Sequence, residues 1–192
     1  MSQSFRVAVL VGSLRAASFS RKIAHALMER APRGLDCRLV ELGNLPLYNE
    51  DLEQSAPPAW REFRAELKSS QAVLFVTPEY NRSIPGGLKN ALDVGSRPSD
   101  QSVFDGLPAA VVSVTPYKLG AFGANHALRQ SFVFLNMPVL QQPEAYVGKV
   151  ADVIDDSGKL KDPETAQLFE KFMGAFASWI ALIHRQADPA KP

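Results

Sequence analysis

The stretch AVLFVTPEYNRSIPGGLKNALD, residues 72–93, decides how the chain is read. Ala72–Val76 is a short unbroken apolar run, the pattern of a strand covered on both faces, as in parallel sheets. Leu88, Ala91 and Leu92 follow at helical spacing. Between them stand Pro78, Asn81, Pro85, Gly86 and Gly87. A residue before proline is pushed toward extended geometry, so Thr77 and Ile84 leave the helical region, while Pro85 suits the first turn of the next helix. Gly86 and Gly87 keep side chains away from any backbone or ligand that comes close. Glu79-Tyr80-Asn81-Arg82 is thereby held at the end of a buried strand, where its N–H groups can face a flat heteroaromatic ring. A purely structural strand-to-helix connection is the other reading of this segment.

Outward from this point the same alternation repeats. Arg6–Val11 reads as a buried strand, and Ile23, Ala24, Leu27 and Met28 as the inner stripe of a helix closed by Pro32 and Gly34. Cys37–Leu42 reads as the second strand, and Trp60, Phe63 and Leu67 mark a second helix after Pro57-Pro58. Ala109–Val114 is the fourth strand, the residues from Ala124 to Leu135 carry another helical stripe, and Pro138–Leu140 starts a short fifth strand. The last helix opens at Asp162-Pro163-Glu164, a capping residue followed by proline at the first helical position, with Phe169, Phe172, Met173, Phe176, Ile180 and Ile183 inward.

Five strands alternating with five helices in 192 residues predict a single α/β domain over 1–192. The architecture expected is a three-layer, doubly wound, five-stranded parallel sheet of order 2-1-3-4-5. Ala187–Pro192 reads as a frayed tail. Ligands of such sheets sit beyond the carboxyl ends of the strands where the order reverses, which places the turns after strands one, three and four around one crevice.

The turn after the first strand, GSLRAASFSRK (residues 12–22), opens the first helix. A helix start leaves N–H groups unpaired and carries partial positive charge, so it favours a phosphate. Ser13, Ser18 and Ser20 add hydroxyl donors, and Arg15 adds a planar guanidinium fork. Neither the Gly-Lys-Ser/Thr of a P-loop nor the three-glycine dinucleotide fingerprint is present, so one phosphate fits better than two. The bland reading is a serine cap on the helix with a solvated Arg15. A planar ring at the third turn and a single phosphate at the first are together the outline of FMN.

Charge and composition narrow the classes further. A formal net charge of +1 and an isoelectric point near 7.9 give no basic field for nucleic acid. No run approaches the roughly 20 apolar residues of a membrane span, and Val7–Val11 stops at Gly12-Ser13, short of a secretion signal, so a cytoplasmic protein is expected. The single cysteine, Cys37, lies in a strand pattern and fits a reducing compartment. His25, His126 and His184 have no partner at metal-ligand spacing, so no metal is expected. The acidic run Asp152–Asp162 lacks the terminal glutamate of a calcium loop and reads as a surface hairpin or loop.

GSLRAASFSRK and TPEYNRSIPGGLKNALD, followed by Ser96-Arg97-Pro98, resemble the NADPH-dependent FMN reductase family of flavodoxin-like proteins, especially its bacterial quinone and chromate reductase branch. The similarity extends through LPLYNEDL (residues 45–52) and HALRQSFVFLNMPVLQQPEAY (residues 126–146) to the last helix. The resemblance implies that Ser13, Arg15, Ser18 and Ser20 hold the FMN phosphate, and that Pro78, Glu79, Tyr80, Asn81 and Arg82 line the isoalloxazine, largely through main-chain groups. It implies a flavin contact at Thr115 and no catalytic side chain, because the flavin carries the chemistry. NADPH or NADH would be the co-substrate. Quinones, free flavin, azo compounds or chromate would be the small-molecule acceptors, alternating with the nucleotide on one ring face. A homodimer or homotetramer is also implied, with Tyr48, Asn49, Arg129 and Glu144 near the subunit boundary.

The chain departs from the family pattern at two places. Tyr117-Lys-Leu-Gly120-Ala121 stands where Gly-x-x-Gly-Gly is usual, and Arg82 replaces a frequently aromatic or small residue. A flavodoxin-type electron carrier and an FMN-binding sensory module are the competing functions. The near-neutral charge argues against the carrier, which docks its redox partners through an acidic face.

Overall fold

The computed structural model describes residues 4–187. The strands are β1 (Phe5–Val11), β2 (Leu35–Val40), β3 (Ala72–Thr77), β4 (Ala109–Val114) and β5 (Ala145–Val147). The helices are α1 (Phe19–Met28), α2 (Pro58–Lys68), α3 (Gly86–Gly95), α4 (Phe122–Phe134), α5 (Val150–Val153) and α6 (Pro163–Ala187), with short 3-10 turns at Glu50–Ser55 and Ser99–Gln101. All four strand pairings are parallel, in the order β2-β1-β3-β4-β5. The chain therefore reverses direction of travel at β1 and β3, and the expected flavodoxin-like topology is what forms.

Every residue of β3 and β4 is buried, because both faces of the sheet are covered. Val7, Val9 and Val11 pack with α1 and with the Phe169, Phe172 and Phe176 stripe of α6. Ala8 and Leu10, alternating to the other face, pack with Trp60 and Phe63 of α2, Leu88 of α3 and Phe132 of α4. Each fully buried phenylalanine contributes about 1.5–3 kcal/mol relative to an exposed one, so these stripes dominate the stability of the three layers.

Local chemistry sets the helix starts. Ser18 caps α1 by accepting the Arg21 N–H at 3.0 Å. Asp162 caps α6, accepting the N–H groups of Glu164 and Thr165 at 3.0 Å each and the Thr165 hydroxyl at 2.6 Å. These bonds hold the Asp162 carboxyl below its ordinary range. Pro85 sits at the cap of α3, with extended ψ 146, one position ahead of the expected first turn.

The fifth strand is displaced from its expected place. Pro138–Leu140 makes a single parallel bridge, Val139 to Ala109, and the paired strand comes later, at Ala145–Val147 against Val112–Val114. Pro143, between the two pairings, has no N–H to donate, and the edge ladder is split in two around Gln141 and Gln142. β2 begins two residues earlier than the alternation suggests, pairing Leu35 with Phe5, and Leu42 is buried beyond its end. The Asp152–Asp162 run holds the last residues of α5 and an antiparallel bridge between Ile154 and Leu160. In the tail, α6 continues through Ala187, and 188–192 lie outside the described residues.

Cys37 is half-buried in β2, and burial pushes its thiol up to about 11, so it stays protonated and inert. His184 packs against Phe5 at 5.5 Å and bonds the Gln71 carbonyl at 2.8 Å. It is a structural histidine. No group of His, Cys, Asp and Glu among the described residues is placed to hold a metal ion, and no helix there is long and apolar enough to cross a membrane.

Candidate active site

The carboxyl ends of β1, β3 and β4 open into one cleft of about 510 Å³, within the range of small-ligand sites. Ser13, Arg15, Ser18, Ser20, Pro78, Glu79, Tyr80, Asn81, Arg82 and Thr115 all line it. Phe19, Val114, Pro116, Tyr117, Leu119 and Ala121 complete the wall. Gly12 joins the first and third turns: its N–H donates to the Val76 carbonyl at 2.9 Å, and a Cβ there would lie 2.8 Å from Thr77 Oγ1.

At the first turn, Ser13, Ser18 and Ser20 are all buried. Ser13 Oγ accepts the Arg15 N–H at 3.4 Å, Ser18 N–H donates to the Arg15 carbonyl at 3.2 Å, and Ser18 Oγ is occupied by the α1 cap. The N–H groups of Ala16, Ala17, Phe19 and Ser20 have no acceptor among the described residues. Arg15 is exposed and makes no ion pair there. Unpaired donors converging at the start of a ten-residue helix, beside an unpartnered guanidinium, form an anion cradle.

At the third turn, Tyr80 and Ser83 exchange N–H to carbonyl bonds at 2.9 and 3.0 Å, closing a two-residue hairpin with Asn81 and Arg82 at its tip. Both tip residues have left-handed backbones, φ 52 and 66, as a type I′ turn requires. Asparagine adopts this region readily. Arginine does not, and the conformation costs about 1–2 kcal/mol. The hairpin corrects one expectation: the Tyr80 and Ser83 N–H groups each donate to the other's carbonyl, and only those of Glu79, Asn81 and Arg82 remain without an acceptor among the described residues.

Glu79 has a use that sequence patterns did not reveal. Its Oε2 accepts the Ala124 N–H at 3.1 Å, compensating the start of α4, and its Oε1 lies 3.5 Å from Arg82. Gly123 permits this approach, since a Cβ there would lie 2.8 Å from the Arg82 carbonyl oxygen and 3.0 Å from Glu79 Oε2. In the sequence Gly123 stands just ahead of the stripe that begins at Ala124, a position with no local signal for this role.

The loop after β4 explains the first departure from the family pattern. Gly120 and Ala121 are both left-handed, φ 61 and 57, so Ala121 adopts the conformation that a second glycine would. Ser113 Oγ donates to the Gly120 carbonyl at 2.6 Å and accepts from Asn125 Nδ2 at 3.3 Å, and Asn125 Oδ1 accepts from Arg129 Nε at 2.9 Å. This chain of bonds fixes the loop that carries Thr115, Tyr117 and Leu119 to the cleft. Arg129 therefore has partners within its own chain. Glu144 also does, accepting the Tyr146 hydroxyl at 2.7 Å; burial, reinforced by that bond, pushes Tyr146 up to about 12.

Tyr48 is tied to α3, and neither it nor Asn49 lines the cleft. Asn90, buried, accepts the Tyr48 N–H at 2.8 Å and donates to the Leu45 and Pro46 carbonyls at 3.3 and 3.1 Å. Tyr48 stacks on Trp60 at 5.3 Å.

An anion cradle on one strand end and a hairpin with free N–H donors on the next, joined across Gly12, define a flavodoxin-like protein built for a mononucleotide. The residues present fit FMN: donors for one phosphate at the first turn, and a polar backbone edge flanked by apolar walls for a flat ring. A profile of the NADPH-dependent FMN reductase family matches residues 5–152, and the chain belongs to that family. It is accordingly an FMN-dependent NAD(P)H oxidoreductase. The chain is 60% identical over 183 residues to a quinone reductase of Pseudomonas putida, covering 95% of this chain and 98% of that protein. It is 38% identical to a 2-hydroxy-1,4-benzoquinone reductase of a Burkholderia species, over 92% and 97% of the two chains. Among solved structures, FerB, the flavoenzyme NAD(P)H:(acceptor) oxidoreductase of Paracoccus denitrificans, superposes with a TM-score of 0.87 at 38% identity, over 92% of this chain and 97% of that one.

Proposed function

We propose that the protein, as one domain over 1–192, is a quinone reductase that takes hydride from NADPH or NADH and passes two electrons to a quinone in the same cleft. The supporting observation is the junction of the two turns at Gly12, which puts a phosphate cradle and a ring-facing hairpin within one cavity. When bound, FMN supplies the hydride-accepting and hydride-donating chemistry. The protein binds, orients and shields. Arg15, with Ser13, Ser18, Ser20 and the free N–H groups of residues 16, 17, 19 and 20, holds the phosphate. Pro78 and Tyr80 wall the ring, and Thr115 offers its hydroxyl from the β4 side. The N–H groups of Glu79, Asn81 and Arg82, without an acceptor of their own, would be donors for a polar edge of the ring, where fixed donors favour added negative charge. No side chain has to move a proton, so the rate rests on stacking and proximity.

The test is steady oxidation of NADPH or NADH by the purified protein with a quinone. Turnover by two-step kinetics, in which nucleotide and quinone exclude each other, is the expected result. Stable one-electron storage with no quinone turnover would mark an electron carrier instead.

The chain functions as a homodimer or homotetramer in the cytoplasm. Val133 and Phe134, 83% and 82% exposed side by side on α4, give the apolar patch such a boundary needs. Light scattering that returned a monomer at micromolar concentration would remove this part of the reading.

A further inference from the structure

The geometry points to Arg82 as a specificity-determining residue: its guanidinium, at the mouth of the cleft, takes an anionic group carried by the molecule that stacks there. This rests on the flavin-cleft reading above and adds to it the charge of the co-substrate.

Three observations converge on Arg82. It holds a left-handed backbone, φ 66, at a hairpin tip where asparagine or glycine would sit without strain, and such outliers gather where a side chain is needed in one place. Its side chain is 77% exposed and makes no hydrogen bond among the described residues, and its one ion-pair partner is Glu79 at 3.5 Å. Glu79 is already committed, through its other oxygen, to the Ala124 N–H at the start of α4. The Arg82–Glu79 contact is long and open to solvent, so it holds the guanidinium only loosely.

The balance of charge in the cleft leads to the same conclusion. The ionisable side chains lining it are Arg15, Arg82, Glu79, Tyr80 and Tyr117. With Arg15 given to the FMN phosphate, Arg82 is the cation lining the cleft that remains for a second ligand, held only by its 3.5 Å contact with Glu79. Tyr80 and Tyr117, also exposed, line the same cleft and offer rings on which a flat molecule can lie. A flat ligand with a negative group is complementary to such a rim; a neutral one gains only the stacking. The anion has two possible carriers, the phosphates of the nicotinamide nucleotide and an ionised substituent on the quinone.

The experiment compares wild type, Arg82→Asn and Arg82→Lys. Asparagine keeps the left-handed turn and removes the charge; lysine keeps the charge. KM is measured for NADPH, NADH, a neutral naphthoquinone and its sulfonate, at low and high salt. Arg82→Asn raises KM for an anionic molecule, relative to that for the neutral quinone, by about tenfold, the worth of one solvated charge-assisted hydrogen bond. Arg82→Lys recovers most of the loss, and high salt shrinks the difference. A rise for NADPH alone assigns the anion to the 2′-phosphate, for both nucleotides to the pyrophosphate, and for the sulfonate to the acceptor. Equal changes for all four molecules, or changes below about twofold, overturn the proposal. The visible spectrum of each variant reports its FMN content separately. Wild-type protein that bound no FMN would instead remove the underlying reading, whatever Arg82 did.

Discussion

Gly120→Ala is expected to destabilise the protein by about 2–4 kcal/mol and to loosen its hold on FMN. Two costs coincide at this position. The backbone is left-handed, φ 61, which strains any residue with a side chain, and an added Cβ would lie 2.6 Å from Tyr146 Cβ and 3.0 Å from the Tyr146 carbonyl carbon. Backbone atoms cannot rotate aside as a flexible side chain would. The loop carrying Thr115, Tyr117 and Leu119 has to shift, and it takes with it the bond from Ser113 Oγ to the Gly120 carbonyl. For a chain of 192 residues the loss corresponds to roughly 5–15 °C in the unfolding midpoint. Gly106 is the internal control: its backbone is also left-handed, φ 68, but nothing lies within 4 Å of the added Cβ. Gly106→Ala keeps the strain without the collision and should cost only about 1 kcal/mol. Thermal melts of the two variants decide the matter, and equal losses would mean that the β4 loop is slack.

Gly12→Ala carries the second large effect, for a different reason. Its backbone is not left-handed, so the cost is steric alone: the new Cβ meets Thr77 Oγ1 at 2.8 Å and Leu88 and Pro78 side-chain carbons at 3.2 Å each. The Thr77 hydroxyl is buried and donates to the Pro78 carbonyl at 2.8 Å, so it cannot turn away without losing that bond. The first and third turns are forced apart at the point where they meet. A stability loss of about 1–3 kcal/mol is expected, with FMN affinity falling at least about tenfold. Adding Thr77→Ala removes the obstacle, and the double variant should bind FMN better than Gly12→Ala alone. A double variant as weak as the single one would show that the turns are not coupled here.

Much of the site was legible because its signals are local. Proline before and glycine after an apolar run announce a strand-to-helix turn whatever the rest of the chain does, and serines at a helix start announce a cap and an anion site together. Ser13, Arg15, Ser18 and Ser20 of the first turn, Pro78–Arg82 of the third and Thr115 line a single cleft; Pro85, Gly86 and Gly87 do not. What escaped was tertiary. No local pattern says that the Glu79 carboxylate serves the Ala124 N–H, 45 positions away, or that Asn90 pins the loop at Tyr48, 42 positions away. The fifth strand was misplaced because Pro138–Leu140 has the apolar composition of a strand, yet makes one bridge to β4 before the ladder is interrupted ahead of Ala145. Ala145-Tyr146-Val147, only three residues long, is too short to show alternation.

One molecule bridging the two turns with its phosphate at Arg15 is tested most directly by calorimetric titration of the flavin-free protein with FMN and with riboflavin. One FMN should bind per chain, with riboflavin at least about a hundredfold weaker, the worth of two charge-assisted hydrogen bonds at about 1.5 kcal/mol each. Riboflavin binding as tightly as FMN, or neither binding at all, would contradict it.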